Sequence, residues 1–300
     1  MAIATFAQLL EEAQKVGPKR IAIAGAAEAE VLEAARDGVK LKIASYLLVD
    51  DRDLIQSIAE ENELDLSRMT IVHEPDFKLA SRRAVELIRS GQADITMKGR
   101  VSSGDFLHAA IDREIGLRAG RLLTHVGAFE IPGFDRLILV SDAGVVVAPD
   151  ILQKVEIIQN AIHVAQRLGV NEPKVAILAA TELVNPKIPA TLDAANLSKM
   201  AERGQIVNGI LDGPLALDSA ISPESLQIKG IKSAVAGKAD ILITPDIEAG
   251  NVLVKAITYF ANGKMAGVVV GGKVPLILAS RSDPHETKLM SMALGVFIAS

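Results

Sequence analysis

The feature that most narrows the fold of this chain is an alternation of two periodicities. Short β-branched runs, IAIAG at 21–25, YLLVD at 46–50 and DITMKG at 94–99, are separated by stretches whose apolar residues recur every three or four positions. VLEAARDGV at 31–39 and LASRRAVELIRSG at 79–91 are such stretches, the second stopped by a glycine. Runs and amphipathic stretches in strict turn predict βαβ units, with helices covering a sheet. The cores are built without many rings: hydrophobic residues are 49% of the chain and aromatics only 3%. Ala, Val, Ile and Leu in close-packed helices and sheets suit an α/β protein.

The pattern changes at 121–147, where RLLTHVGAFEIPGFDRLILVSDAGVVV has turn residues at Pro132-Gly133 and Asp142-Ala143-Gly144 and no helical period between its apolar runs. That predicts an antiparallel insertion. Helix and strand then resume, with a helix at about 149–168, KVAILAA from Lys174, a helix after Pro189, NGILDG from Asn208 and ADILITPD from Ala239. Near the end, GVVVGGKVPLILASRSD holds two apolar runs split by Gly271-Gly272, before a terminal helix starting near Pro284. A chain of 300 residues exceeds the roughly 250 at which single cores tend to split. Two domains are therefore expected, a discontinuous first one of residues 1–120 and 270–300 and a second of residues 121–269.

Charge and composition exclude several classes of function. A net charge of −5 with dispersed Lys and Arg argues against a nucleic-acid partner. Glu11 and Glu12 stand where a signal peptide needs an apolar core, and no apolar stretch approaches the 18 or so residues of a membrane span. The expected location is the cytoplasm. With no cysteine, disulfides, thiolate metal sites and cysteine nucleophiles are excluded. His73, His108, His125, His163 and His285 have no metal-ligand spacing, so no metal site is expected. Gly25-Ala26-Ala27-Glu28 lacks the dinucleotide spacing G-x-G-x-x-G, and neither a G-x-S-x-G elbow nor a P-loop occurs.

Three segments have the character of a site. After the strand ending at Gly99, Lys98, Ser102 and Ser103 sit at a strand's carboxyl end and a helix start, where unpaired N–H groups suit phosphate or an oxyanion. The plainer reading is that Ser103 is an N-cap and Asp105 a first-turn acid. In ADILITPDIEAGNVLVKAI, the strand ends at Thr244-Pro245-Asp246, Asp246 and Glu248 lie where a loop lines a cleft, and the next helix is expected to open around Gly250-Asn251. Capping by Asp246 with Glu248 at the helix dipole competes with that. In VPLILASRSDPHETKL, Ser280 and Arg281 end a strand, and arginine's planar fork suits bidentate binding of a phosphoryl group. Asp283, Pro284 and Glu286 match an N-cap, a proline at N1 and a capping-box acid.

Five motifs in order, MKGRVSSGDFLHAAI, TELVNPKIPATLDAANLSKMAERGQI, LDGPLALDSAIS, AGKADILITPDIEAGNVLVKAI and VPLILASRSDPHETKL, resemble the phosphate acetyl/butyryltransferase family over nearly the whole chain. The segments VNPK (184–187) and SRSD (280–283) resemble the butyryl branch. The resemblance implies two α/β domains around a cleft, similar to isocitrate and isopropylmalate dehydrogenases, with the last segment returning to the first domain. It implies exchange of a short-chain acyl group between coenzyme A and inorganic phosphate by direct transfer in a ternary complex, in homodimers or assemblies of dimers. Coenzyme A is then a substrate, and no cofactor is tightly bound.

By the same resemblance Arg281 binds phosphate, Ser280 donates beside it, and Ser102 stabilises the tetrahedral oxyanion. Lys98, Ser103, Asp246, Glu248 and Asn251 complete the substrate-binding set. The acetyl branch has an aspartate six positions after the arginine as its proposed base, and this chain has Thr287 there. Glu286, one position away, and Asp283, four away, are the candidate bases, and Glu286 is favoured because its position is nearest. Competing expectations are acetyl rather than butyryl transfer, a non-catalytic acyl-CoA-sensing module of the same fold, and a metal- and NAD-dependent decarboxylating dehydrogenase, for which no metal cluster can be assembled.

Overall fold

The structure is a computed structural model that describes residues 2–300. It divides into two compact units. The first consists of Phe6–Arg121 and Ala266–Ser300; the second is the amino-terminal segment up to Thr5 with Leu122–Met265. The fold is mixed α/β in both.

The first unit begins α1 (Phe6–Val16), β1 (Lys19–Ala24), α2 (Ala29–Lys40), β2 (Ala44–Asp50), α3 (Arg52–Glu61), β3 (Met69–His73), α4 (Phe77–Arg89), β4 (Ile95–Lys98) and α5 (Ser103–Ile111). β1 pairs in parallel with β2 and β4, and β2 in parallel with β3. Ile21, Ala22, Ile23 and Ala24 are all fully buried, as expected of a strand covered on both faces, whose sequence is continuously apolar instead of alternating. Aspartates start α3 and α4: the Asp51 carboxylate accepts from the N–H groups of Asp53 and Leu54, and that of Asp76 from Lys78 and Leu79.

In the second unit come β5 (Thr124–Glu130), β6 (Ile138–Ser141), α6 (Ile151–Arg167), β7 (Lys174–Leu178), α7 (Pro189–Glu202), β8 (Ile210–Leu215), α8 (Leu217–Ile221), α9 (Pro223–Lys229), β9 (Ile241–Ile243) and α10 (Ile247–Tyr259). β5 and β6 are antiparallel, but β6 then pairs in parallel with β9, β9 with β7 and β7 with β8. The expected antiparallel insertion is thus half right, since β6 is a member of the parallel sheet. Asp142-Ala143-Gly144 is no hairpin turn. The buried Asp142 carboxylate accepts from Gly144 and Val145 N–H and from His125 N–H on β5, which turns the chain toward α6. A capping box of Asp150 and Gln153 then opens α6.

The chain returns to the first unit through β10 (Lys264–Val270), β11 (Leu276–Leu278) and α11 (His285–Ile298). β10 and β11 are antiparallel through Val269 and Leu276, and β11 pairs in parallel with β4, Leu278 opposite Lys98. The strand order is β3-β2-β1-β4-β11-β10, and α11 packs on α1 and α2. From β1 the sheet grows one way to β2 and β3 and the other way to β4 and β11. The carboxyl ends of β1 and β4 therefore flank a topological switch point, where open α/β sheets bind ligands. No helix among the described residues is long and apolar enough to cross a membrane.

Candidate active site

At the switch point two backbones meet without side chains between them. Gly25, just after β1, has φ +73°, and a Cβ there would lie 2.9 Å from Val101 Cγ1. A Cβ on Gly99, just after β4, would lie 2.0 Å from the Gly25 carbonyl oxygen. Glycine at both positions lets Gly99 N–H donate to Ala24 O at 2.8 Å and Arg100 N–H to Gly25 O at 2.7 Å. Gly25 is thus used for close approach of two loops, a job that needs no dinucleotide fingerprint.

Lys98 ends β4 with only 4% of its surface exposed. Its Nζ donates to the carbonyls of Gly99 at 3.0 Å and Val101 at 3.4 Å, leaving it without a carboxylate in direct contact. Burial holds its pKa below the ordinary lysine range; the positive charges of Arg281 and Lys288 act the same way, against Glu28 and Asp283. Lys98, Arg281 and Lys288 are thus three cations set against the two acids Glu28 and Asp283. That excess of positive charge suits an anion.

The turn after β11 supplies Ser280, Arg281 and Asp283. Ser280 N–H donates to Asp283 Oδ2 at 2.8 Å, and the Ser280 and Ser282 hydroxyls are 3.0 Å apart. Arg281 is exposed, and among the described residues its guanidinium makes no hydrogen bond or ion pair with protein. The anticipated capping box is absent: α11 starts at His285 with Pro284 at the N-cap and no side-chain cap. Asp283 is engaged by the Ser280 amide instead. The Glu286 side chain is 68% exposed and lies 3.4 Å from His285 Nδ1, which also faces Glu33.

Ser102, and not Ser103, is the N-cap of α5. Its oxygen accepts from Asp105 N–H at 3.0 Å and its hydroxyl donates to Asp105 Oδ2 at 2.7 Å. Ser103 follows, exposed, in the first turn. Lys288 and Glu28, which complete the charged cluster, escaped the sequence reading. The available signal was a lysine inside the apolar run of α11, where a charge has to have partners.

In the second unit α10 begins at Ile247, three residues before the expected Gly250. The cause is Asp246, whose carboxylate caps the helix by accepting from Ala249 N–H at 2.8 Å. Glu248 is exposed in the first turn and Asn251 exposed in the second. Gly250 is an approach point, since a Cβ would lie 2.5 Å from Asp142 O. Among the described residues no three His, Asp or Glu are grouped to hold a metal ion.

Two of the motif segments are joined in this unit by Glu182. Its Oε1 accepts from the Ser219 hydroxyl at 2.5 Å and from Lys229 Nζ at 2.9 Å, and Lys229 also pairs with Asp218. These hydrogen bonds hold Glu182 at a pKa of about 2. A depressed carboxylate adds stability that is complete above the unfolded value of about 4.3 and is lost as pH falls toward the folded one. Because Lys229 and Asp218 reach solvent, Glu182→Gln is expected to cost only about 1 kcal/mol at pH 7. In melting curves that is roughly 2 to 4 °C, and the gap to wild type should close between pH 5 and pH 2. A gap independent of pH would mean that the charge is not its source.

Comparison with known proteins gives a consistent set of likenesses. Residues 77–296 match the family model described as "Phosphate acetyl/butaryl transferase". The phosphate butyryltransferase of Clostridium acetobutylicum is 44% identical, with 99% of each chain covered. A phosphate acetyltransferase of Thermotoga maritima is 42% identical over 98% of this chain and 100% of its own. The crystal structure of a branched-chain phosphotransacylase from Enterococcus faecalis superposes with a TM-score of 0.83 at 32% identity, covering 94% of this chain and 99% of the other. At the level of fold alone, a 4-hydroxythreonine-4-phosphate dehydrogenase from Klebsiella pneumoniae gives 0.57 at 12% identity, covering 94% of this chain and 100% of that one.

Proposed function

Since the chain belongs to the phosphate acetyl/butyryl transferase family, we propose that it exchanges a short-chain acyl group, with butyryl preferred, between coenzyme A and inorganic phosphate. The observation that carries this reading is the exposed Arg281 guanidinium, without protein partners, beside buried Lys98 in a cluster with excess positive charge. A planar fork with free donors suits the phosphoryl group. Written toward acyl-CoA, the thiol proton passes to a base and the sulfur attacks the acyl-phosphate carbonyl. The tetrahedral oxyanion then collapses, the C–O bond to phosphate breaks, and phosphate leaves. No enzyme nucleophile is needed.

In this proposal Arg281 and Ser280 hold the phosphoryl oxygens and Lys98 contributes its field. Ser102 turns its hydroxyl from Asp105 to the oxyanion, where one donor is worth about 3 kcal/mol. Asp283 takes the thiol proton in preference to Glu286, because it lies in the same turn as Arg281, bonded to Ser280 N–H, whereas Glu286 faces solvent and His285. Ser103, Asp246, Glu248 and Asn251 are assigned to substrate binding. The enzyme is proposed to work as a cytoplasmic homo-oligomer with no tightly bound cofactor.

Release of CoA from acetyl-, propionyl-, butyryl- and isobutyryl-CoA, with phosphate present or omitted, tests the reading. Release should require phosphate or arsenate and leave, with phosphate, an acyl phosphate that hydroxylamine traps. Equal release without phosphate would mark a thioesterase and sink the proposal. Because each methylene in an apolar pocket discriminates by only about 1 to 3 kcal/mol, butyryl-CoA should lead as a preference while the shorter esters still turn over.

A further inference from the structure

One buried charge of the first unit has no part in the steps above. Lys288 lies on the inner face of α11 with 1% of its surface exposed. A buried ammonium costs several kcal/mol unless it is paired and its three donors are met. Two donors are met and the charge is paired: Nζ donates to Arg281 O at 3.4 Å and to Asp283 O, and forms an ion pair at 3.4 Å with Glu28 Oε1. Both carbonyls belong to the turn that carries Arg281. Glu28 immediately precedes α2, beside the loop that starts at Gly25, and its carboxylate does not cap its own helix.

We propose that Lys288 and Glu28 form a positioning pair that ties the turn after β11 to the loop after β1 and thereby aims Arg281. The inference rests on Arg281 being the phosphate ligand. Apart from Lys288, and among the described residues, the turn has bonds only among its own residues: Ser280 N–H to Asp283 Oδ2, Asp283 N–H to Ser280 O at 3.2 Å, and the Ser280 and Ser282 hydroxyls to each other. Among the described residues none bonds the guanidinium itself. What the protein fixes is therefore the backbone from which the fork extends, and Lys288 holds that backbone at Arg281 O and Asp283 O. Bidentate contact tolerates little misaim, since displacements near 1 Å can cost about 100-fold.

Lys288→Met keeps an unbranched apolar stem and removes the donors. Because it strands the Glu28 carboxylate, Glu28→Gln with Lys288→Met is made beside it. For both, the phosphate KM should rise roughly fivefold, while the KM for the acyl-CoA stays within about twofold. Placed in an Arg281→Ala background, the same changes should cost less than about twofold more, because the residue they act through is gone. Amide hydrogen exchange at Ser280 and Asp283 should quicken in Lys288→Met without any substrate present. An undiminished loss in the Arg281→Ala background, a wild-type phosphate KM, or unchanged exchange at the turn each overturns the proposal. Should Lys288→Met fail to fold, Glu28→Gln alone takes its place under the same criteria. The exchange experiment does not depend on turnover, and wild-type release of CoA without phosphate would condemn the functional reading separately.

Discussion

Asp283→Asn is expected to lower kcat by about 100-fold or more, with coenzyme A binding near normal and the acidic limb of the pH profile gone. The substitution is informative because it separates the observed job of this carboxylate from the proposed one. Its Oδ2 accepts from Ser280 N–H. An asparagine carbonyl can accept the same bond, so the turn should survive with a stability change under about 1 kcal/mol. What asparagine cannot do is take up a proton at working pH. A large loss of kcat with an unchanged melting temperature therefore identifies a proton acceptor.

The control is Glu286→Gln, for which near-wild-type kcat is expected. Glu286 is 68% exposed and faces His285 at the start of α11, so its charge is screened by water. If Glu286→Gln falls and Asp283→Asn does not, the base is the acid nearer in sequence to Thr287. If neither falls, neither acid is the base, and the proton goes to another group or to bulk water from a thiol already ionised.

Much of the fold was legible because the βαβ alternation survives in the text wherever a strand is buried on both faces. β4, β7 and β9 lie within the apolar runs read from the sequence, and β1 and β2 overlap theirs, each starting two residues earlier. β3 was not, and its burial explains the miss: none of Met69–His73 is fully buried at the sheet edge, so little selects for a continuous apolar run. The amphipathic helices α1 and α3 were passed over for a related reason, since each presents three or fewer buried residues. The stretch at 121–147 misled in the opposite sense. Turn residues at Asp142-Ala143-Gly144 suggest a hairpin, but a buried aspartate accepting three backbone N–H groups makes a corner into a helix, and no local pattern records that His125 is one of its partners.

The candidate site was legible in its strand ends and not in its charges. Lys98, Ser280 and Arg281 follow directly from the rule that ligands collect at carboxyl ends of strands, and β4 and β11 do lie side by side in parallel. Spacing at 283–286 read as a capping box, and it would be one if the chain entered α11 one residue earlier. Lys288 draws the Arg281 and Asp283 carbonyls inward, and Asp283 closes the turn on Ser280. Glu28 and Lys288 are 260 positions apart in the numbering. Only the packing of α11 on α2 makes them a pair.

Arg281→Lys is expected to raise the phosphate KM, or to lower kcat, by at least about tenfold, which is roughly 1.4 kcal/mol of transition-state binding. The change keeps one positive charge at the end of the side chain, so the general field around Lys98 is little altered. It removes the planar arrangement of donors that can meet two phosphoryl oxygens at once. A purely electrostatic role would therefore be largely preserved by lysine, whereas a bidentate role would not. Stability offers an internal check, because the guanidinium holds no protein group and its loss should leave the melting temperature within about 1 °C of wild type. Salt should separate the two roles as well: a point charge is screened with a Debye length of about 8 Å at physiological ionic strength, and close hydrogen bonds far less. The wild-type advantage over Arg281→Lys should thus persist at high salt. Wild-type phosphate kinetics in Arg281→Lys, or an advantage that vanishes with salt, would reduce Arg281 to one cation among three and leave the phosphate to be held by Lys98 and the Ser280 hydroxyl.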